Sequence, residues 1–281
     1  MDQTITKERL LTPNPQNTTV RESGINIGFL ILYFILRIPI TYIISVDPSR
    51  SHWIFVGIYV AFYLIISALI WKNRMELNSF HIDKFCLFLF ILFGSLFRVR
   101  GIDNFVTLIL EFFLFLFVVT LSIILIKAKI PIRSFPIFNK WNGFAIIFGF
   151  VFVAFVITFD PRIGFDSVKS ISIMLLASSF LKNLYIEMGS SVIIEEPIFR
   201  GFLWGTLRKL SWPESKIFLL QAFLFWISHI YYLRHPFTFW IAAPILSLLL
   251  GYLALKTKSI IPPMITHVIY NAFLVAFVAM I

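Results

Sequence analysis

Long apolar runs separated by short polar segments make up most of the chain. Their bounds are 25–46, 53–71, 85–97, 105–126, 143–159, 171–207, 217–233, 238–255 and 260–281. A helix needs about 20 apolar residues to cross the hydrocarbon core of a bilayer. The pattern therefore predicts an all-α fold, a polytopic membrane helix bundle with about eight transmembrane helices. A ninth crossing is expected if the short run 85–97 and the run interrupted by Pro244 both span the membrane.

The run 171–207 is too long for one simple crossing. Its first half carries three polar residues, Lys182, Asn183 and Glu187. We expect an interfacial or packing segment at 171–182, followed by one true crossing at about 184–207. The polar residues 1–24 are expected to form a flexible cytoplasmic tail. Residues 25–170 then supply N-terminal membrane helices, and residues 171–281 form a C-terminal membrane core.

The composition supports a membrane protein and excludes several other classes. Apolar residues make up 59% of the chain and charged residues 14%, whereas soluble domains carry about 25% charged residues. A soluble cytosolic enzyme and a disordered chain are therefore excluded. Cys86 is the single cysteine, which excludes a disulfide-stapled secreted module. The formal net charge of +10 is typical of basic cytoplasmic loops, so no nucleic-acid partner is expected.

The basic residues are distributed unequally between the two sets of loops. If the runs cross the membrane in alternation, most Lys and Arg residues fall on the side that carries the N-terminus. This bias predicts an integral membrane protein with a cytoplasmic N-terminus. The richness in Phe, Ile, Lys and Asn indicates a bacterial source, and hence the bacterial plasma membrane.

Several charged residues fall inside the apolar runs, where each needs a physical reason. Arg37 is expected to extend its side chain to the interface, and Glu111 to reach the headgroups. Lys182 and Glu187 are expected to mark the interface, because they are five residues apart and do not share a helix face.

The segment Glu195-Glu196-Pro197-Ile198-Phe199-Arg200-Gly201 places two adjacent carboxylates and an arginine in an apolar run. Glu196 and Arg200 are four residues apart, with the acid nearer the N-terminus, which favours an ion pair on a helix. Glu195 is rotated by about 100° from Glu196 and is expected to be unpaired. Pro197 lacks a backbone donor and should open the helix beside both acids.

Two later runs carry further polar groups. His229 follows Phe225-Trp226-Ile227-Ser228, and His267 and Asn271 share one helix face at a spacing of four residues. We expect these groups and Glu195 to meet in a polar cavity inside the bundle. A carboxylate and an imidazole can take a proton from water, while a second imidazole and an amide can stabilise an oxyanion.

A zinc site remains an alternative for the same residues. Glu195, His229 and His267 could hold Zn²⁺ with one open position. The chain has no His-Glu-x-x-His pattern and no Asp or Glu after Glu214 that could orient a histidine ligand. We therefore favour a site without a cofactor. The remaining histidines, His52, His81 and His235, fall in predicted loops and are given no role.

These motifs resemble the hallmark of the CPBP family, named for CAAX proteases and bacteriocin-processing enzymes and also called the Abi family. The family pattern is Glu-Glu-x-x-x-Arg, then Phe-x-x-x-His, then His-x-x-x-Asn on successive membrane helices. Here the three motifs are Glu195-Glu196-…-Arg200, Phe225-…-His229 and His267-…-Asn271, in the family's order. The resemblance covers about 180–281, and identifies 171–281 as a CPBP-like catalytic membrane core.

The resemblance implies hydrolysis of a peptide bond near the membrane surface, as in the removal of three residues from prenylated CAAX proteins. It implies that Glu195 and His229 activate water, that His267 and Asn271 hold the oxyanion, and that Glu196 and Arg200 brace the site. The family was first classed as metalloproteases, and a metal-free glutamate protease is the other reading.

We therefore expect an intramembrane endopeptidase whose partners are the lipid bilayer and a membrane-associated peptide or protein substrate. The alternative is a non-catalytic immunity or scaffold protein of the same fold, in which the buried polar cluster only fixes helix packing.

Overall fold

The computed structural model describes residues 15–46, 51–96, 112, 115–120, 123, 132, 139–163 and 172–280. Within these residues every regular element is a helix. The α-helices are α1 (Pro15–Val46), α2 (Ser51–Lys72), α3 (Lys84–Leu96), α4 (Lys140–Phe159), α5 (Ile173–Glu187), α6 (Ile193–Glu196), α7 (Trp204–Lys209), α8 (Glu214–Ile227), α9 (Ala243–Thr257) and α10 (Ile261–Val278). Short 3-10 helices lie at Arg74–Phe80 and Ile230–Arg234, and π-helical turns lie at Met188–Val192, Pro197–Leu203 and Thr238–Ala242.

The segments α5, α6 and α7, with the two π turns between them, form one helix from Ile173 to Lys209. We call it the glutamate helix. No break in the helix separates the predicted interfacial or packing segment at 171–182 from the predicted crossing at 184–207, and that division remains a prediction. Asn183 does not end the helix, because its side-chain amide donates to the carbonyl oxygen of Ser179 one turn earlier, at 2.9 Å.

The helices agree with a membrane bundle, although the described residues do not establish eight crossings. Four segments are long and apolar enough to span a bilayer, namely Ser23–Ile43, Lys140–Phe159, Thr238–Thr257 and Ile261–Val278. Gly57–Lys72 and Lys84–Phe93 are apolar but shorter. Most of the predicted run 105–126, including Glu111, lies outside the described residues.

The first helix begins earlier than the sequence predicts. α1 starts at Pro15, so residues 15–24 of the expected flexible tail are helical, and residues 1–14 lie outside the described residues. Proline is well suited to the first turn of a helix, where its missing N–H has no intrahelical partner.

Helix α10 lies inside the bundle and packs against α4, α5 and α9. The closest approach is at Gly149 of α4, where an added Cβ would lie 2.9 Å from the Cβ of Ile269. Small residues allow such close helix contacts in membranes. Thr266 Oγ1 adds a hydrogen bond to the carbonyl oxygen of Ala145 at 2.8 Å. These contacts fix α10, which carries His267 and Asn271, against its neighbours.

Three loops meet at one end of the bundle. Lys209 Nζ lies 2.8 Å from Glu76 Oε2, and Ser259 Oγ donates to Asp83 Oδ2 at 2.9 Å. These contacts join the loops after α2, α7 and α9, which the charge distribution places on one side of the membrane. The assignment of this end to the cytoplasm remains a prediction.

Candidate active site

Glu195 and Glu196 lie on α6, between the two π turns of the glutamate helix. Successive residues of a helix are rotated by about 100°, so the adjacent carboxylates reach different neighbours. Glu195 contacts Arg37 and His229, whereas Glu196 contacts Arg200 and His267. Both carboxylates are buried at 3% and 0% exposure.

The π turns around these residues are held by α2 and by the position of Pro197. Tyr63 donates its hydroxyl to the carbonyl oxygen of Gly189 at 3.0 Å, and Tyr59 donates to that of Ser190. Pro197 begins the second π turn, and its missing N–H is consistent with the predicted opening of the helix there. π turns of this kind are frequent at functional sites.

The prediction that Arg37 extends to the interface is wrong, as is the prediction that Glu195 is unpaired. Arg37 Nη2 donates to Glu195 Oε1 at 2.6 Å, and the arginine is only 7% exposed. A buried arginine in a membrane bundle needs an anionic or carbonyl partner. Glu195 supplies that partner, so the side chain turns into the bundle.

The second oxygen of Glu195 faces His229. His229 Nδ1 lies 2.7 Å from the carbonyl oxygen of Phe225. Because a carbonyl oxygen only accepts, Nδ1 carries the hydrogen and Nε2 of the neutral imidazole carries a lone pair. Nε2 lies 3.6 Å from Glu195 Oε2. Within the described residues Oε2 is buried without a direct hydrogen-bond partner, and one water molecule could donate to both atoms.

The predicted pair of Glu196 and Arg200 is present. Arg200 Nη1 lies 3.2 Å from Glu196 Oε1, and both side chains are fully buried. Arg200 Nη2 also donates to the carbonyl oxygen of Ser247 at 3.2 Å. His267 Nδ1 lies 2.7 Å from the same carboxylate oxygen of Glu196. Glu196 therefore ties the glutamate helix to α10, and Arg200 ties it to α9.

This contact limits what His267 can do. An ionised Glu196 only accepts hydrogen bonds, so His267 Nδ1 is the donor in this contact. Neutral His267 then has a lone pair at Nε2. It can donate from Nε2 to an oxyanion only as the imidazolium, with a proton on each nitrogen.

The ring of Phe225 lies beside both histidines. Its centroid is 4.4 Å from that of His229 and 5.6 Å from that of His267. The guanidinium of Arg200 lies 4.3 Å from the same centroid. Phe225 thus contacts the histidine of the second motif, the histidine of the third motif and the arginine of the first.

Asn271 contacts a residue that the sequence did not indicate. Its Nδ2 donates to Glu187 Oε2 at 3.1 Å, and Ser191 Oγ donates to the same oxygen at 3.0 Å. The prediction that Glu187 only marks the interface is therefore wrong, although Lys182 is exposed. The spacing of four residues between Glu187 and Ser191 was an available signal, since it places both on one helix face.

The zinc alternative finds no ligand set in the structure. Among the described residues no three His, Cys, Asp or Glu side chains are grouped so that they could hold a metal ion. In addition, Arg37 brings a positive charge to Glu195, which the zinc alternative needs as a ligand. We therefore derive no step through a metal ion.

The other histidines lie apart from this cluster. His81 is buried in the loop before α3, and its Nε2 lies 3.1 Å from Arg208 Nη1. His235 is exposed after the 3-10 helix Ile230–Arg234. The side chain of His52 lies outside the described residues.

Comparison with known proteins supports the resemblance drawn from the three motifs. The family model described as "type II CAAX prenyl endopeptidase Rce1-like" matches residues 179–273. No curated protein and no solved structure matches the chain. The matched segment contains all six predicted site residues, and it excludes α1 and Arg37. Residues 179–273 are therefore similar to the Rce1-like type II CAAX prenyl endopeptidases, which supports the resemblance to the CPBP and CAAX protease group.

Proposed function

We propose that the protein is an intramembrane endopeptidase that hydrolyses a peptide bond of a membrane-associated peptide or protein. The observation that carries this proposal is the pair formed by Glu195 Oε2 and His229 Nε2, which face each other at 3.6 Å inside an apolar bundle. The similarity of residues 179–273 to an endopeptidase family supports the same function.

In the proposed reaction a water molecule lies between Glu195 and His229. One of these groups takes a proton as the water oxygen bonds to the carbonyl carbon of the substrate. The carbon–nitrogen bond then breaks, and the proton passes to the leaving amine. The products are one new carboxylate and one new amine, so the step needs no oxidant, reductant or co-substrate other than water.

His267 and Asn271 are proposed to stabilise the oxyanion. Glu196 orients His267 through Nδ1, and the imidazolium form of His267 donates to the oxyanion from Nε2. Asn271 Nδ2 carries two hydrogens, of which one bonds to Glu187, so that the other is available to the substrate. Donors held in advance in a water-poor site stabilise a developing charge more strongly than donors in water do.

The proposal is tested by comparing the peptides in membranes that contain different variants. Glu195→Gln and His229→Gln each remove one proton acceptor, and Glu76→Gln is the matched control, because Glu76 lies at the end of the bundle and contacts Lys209. New peptide termini should appear with the unsubstituted protein and with Glu76→Gln, and be absent with the other two variants. The same termini in all four membranes would overturn the proposal.

A non-catalytic immunity or scaffold protein is the second candidate. The observation that favours it is the Arg37–Glu195 pair, because a buried ion pair at 2.6 Å can serve helix packing alone. On this reading Glu195→Gln would lower stability and would change no peptide terminus. The membrane comparison therefore separates the two candidates.

A further inference from the structure

Arg37 contacts the proposed base from outside the segment that matches the endopeptidase family. It lies on α1, whereas the family match begins at residue 179. The residues that form this contact are separated by 158 positions in the sequence. Arg37 and Glu195 are both buried, at 7% and 3% exposure. The contact between Arg37 and Glu195 therefore lies in the interior of the bundle.

Helix α1 is fixed relative to both groups that are proposed to activate water. It packs against the π turn Pro197–Leu203, directly after the two glutamates, and against the 3-10 helix Ile230–Arg234, directly after His229. The rings of Tyr33 and Phe34 lie 6.2 Å and 5.5 Å from the ring of Phe199. The turn of α1 that carries Arg37 therefore has a defined position beside Glu195.

The two oxygens of Glu195 have different surroundings. Arg37 Nη2 bonds to Oε1, while Oε2 faces His229 Nε2. The terminal torsion of a glutamate has a broad energy well, so a carboxylate without a fixed partner could turn away from the histidine. A charge-assisted hydrogen bond to one oxygen removes that freedom.

The geometry points to Arg37 as a positioning residue for the proposed peptidase reaction: its bond to Oε1 holds the Glu195 carboxylate with Oε2 towards His229. This inference rests on the proposed function. Stability alone does not account for the pair, because replacing both members of a buried ion pair by apolar residues is often neutral or stabilising. A functional role accounts for the Arg37–Glu195 pair if the proposed reaction requires a fixed orientation of the Glu195 carboxylate.

The test uses the full-length protein purified in detergent and the substrate peptide found by the membrane comparison. Arg37→Gln should lower kcat at least tenfold and leave KM near its original value, because the positioning role acts through the Glu195 carboxylate and not through a contact with the substrate. Arg37→Lys keeps one charged donor and should regain part of kcat. The matched control is Arg74→Gln, which removes an arginine that bonds to the carbonyl oxygen of Trp71. An Arg37→Gln protein with unchanged kcat would overturn the inference.

A double substitution separates positioning from a merely structural role. If Arg37 acts through Glu195, adding Arg37→Gln to Glu195→Gln should leave the small residual kcat unchanged. A further loss by the same factor as in the unsubstituted protein would contradict positioning. If the Glu195→Gln protein is fully active, the proposed function is wrong. That result differs from an unchanged kcat in Arg37→Gln alone, which contradicts only the positioning role of Arg37.

The double variant also keeps the inference testable if the Arg37→Gln protein fails to fold. Arg37→Gln leaves Glu195 as a buried charge without its partner, whereas the double variant leaves neither charge. The double variant should therefore be more stable than Arg37→Gln and elute as a single species. If Arg37→Gln cannot be purified, recovery of the double variant supports the inference, and loss of both proteins counts against it.

Discussion

At the scale of single residues, the central feature is the different surroundings of two adjacent carboxylates. Glu196 is fully buried with Arg200 and His267 on one side of α6. Glu195 has one oxygen bonded to Arg37 and the other directed at His229. The first arrangement suits a bracing group, because its contacts lie within the protein. The second suits a base, because Oε2 of Glu195 faces His229 Nε2 at 3.6 Å. Oε2 of each glutamate has no direct hydrogen-bond partner among the described residues, so the position beside His229 is what distinguishes Glu195.

Arg200→Ala should greatly destabilise the protein. It leaves Glu196 buried beside His267 without the guanidinium, and breaking a buried pair in this way costs about 3–5 kcal/mol. Arg234→Ala is the matched control, because Arg234 is exposed at the end of the 3-10 helix Ile230–Arg234 and surface substitutions usually change stability by less than about 0.5 kcal/mol. Thermal unfolding in detergent measures both effects. Equal melting temperatures for the two variants would refute the bracing role of Arg200.

The rate of cleavage should fall in acid, because Glu195 and His229 gain protons there and can no longer accept one from water. A kcat profile against pH measures the effect, and Glu76→Gln, a substitution at the end of the bundle, is the matched control. A rate that stays constant down to low pH would contradict the role given to Glu195 and His229.

At the scale of elements, the continuity of the glutamate helix is the feature that the apolar pattern did not reveal. Its polar residues suggested a boundary near Lys182, but Asn183 satisfies its own amide within the helix and two π turns keep the chain helical past Pro197. Apolar run length does not reveal π turns, because they change the hydrogen-bond pattern and leave the composition as it is. The ion pair of Glu196 and Arg200 was predictable, because the two residues are four positions apart on one helix.

The tyrosines of α2 should stabilise the first π turn. Tyr63→Phe removes the hydroxyl that donates to Gly189 and leaves a buried carbonyl oxygen without that donor. The expected loss of stability is about 1–3 kcal/mol. Tyr252→Phe is the matched control, because Tyr252 is 42% exposed on α9. Melting temperatures of the two variants measure the effect, and a Tyr63→Phe protein as stable as the control would contradict it.

At the scale of the whole molecule, the sequence predicted the residues within the matched segment better than the contacts that reach it from elsewhere. The three motifs and the helical bundle were visible because each depends on local spacing and apolar run length. The contact of Arg37 with Glu195 joins residues 158 positions apart, and that of Asn271 with Glu187 joins residues 84 positions apart. Such contacts depend on how the helices pack, which periodicity in one sequence does not specify.

Removal of metal ions should leave the activity unchanged. The described residues contain no group that could hold a metal ion, and Arg37 brings a positive charge to Glu195. Purified protein treated with a chelator should therefore keep its kcat, and added Zn²⁺ should not raise it. Stoichiometric zinc that is lost together with activity in a His229→Ala protein would contradict the metal-free proposal.

The most direct test of the central claim is the rate at which the purified Glu195→Gln protein cleaves the substrate peptide. The contact of Glu195 with Arg37 predicts a lower melting temperature for Glu195→Gln, whereas an unpaired Glu195 would leave it unchanged. The rate must therefore be measured on protein that elutes as a single folded species, beside the Glu76→Gln control. We expect kcat to fall about 10²- to 10⁴-fold, the usual contribution of a general base. A folded Glu195→Gln protein that cleaves the peptide as fast as the control would contradict the account.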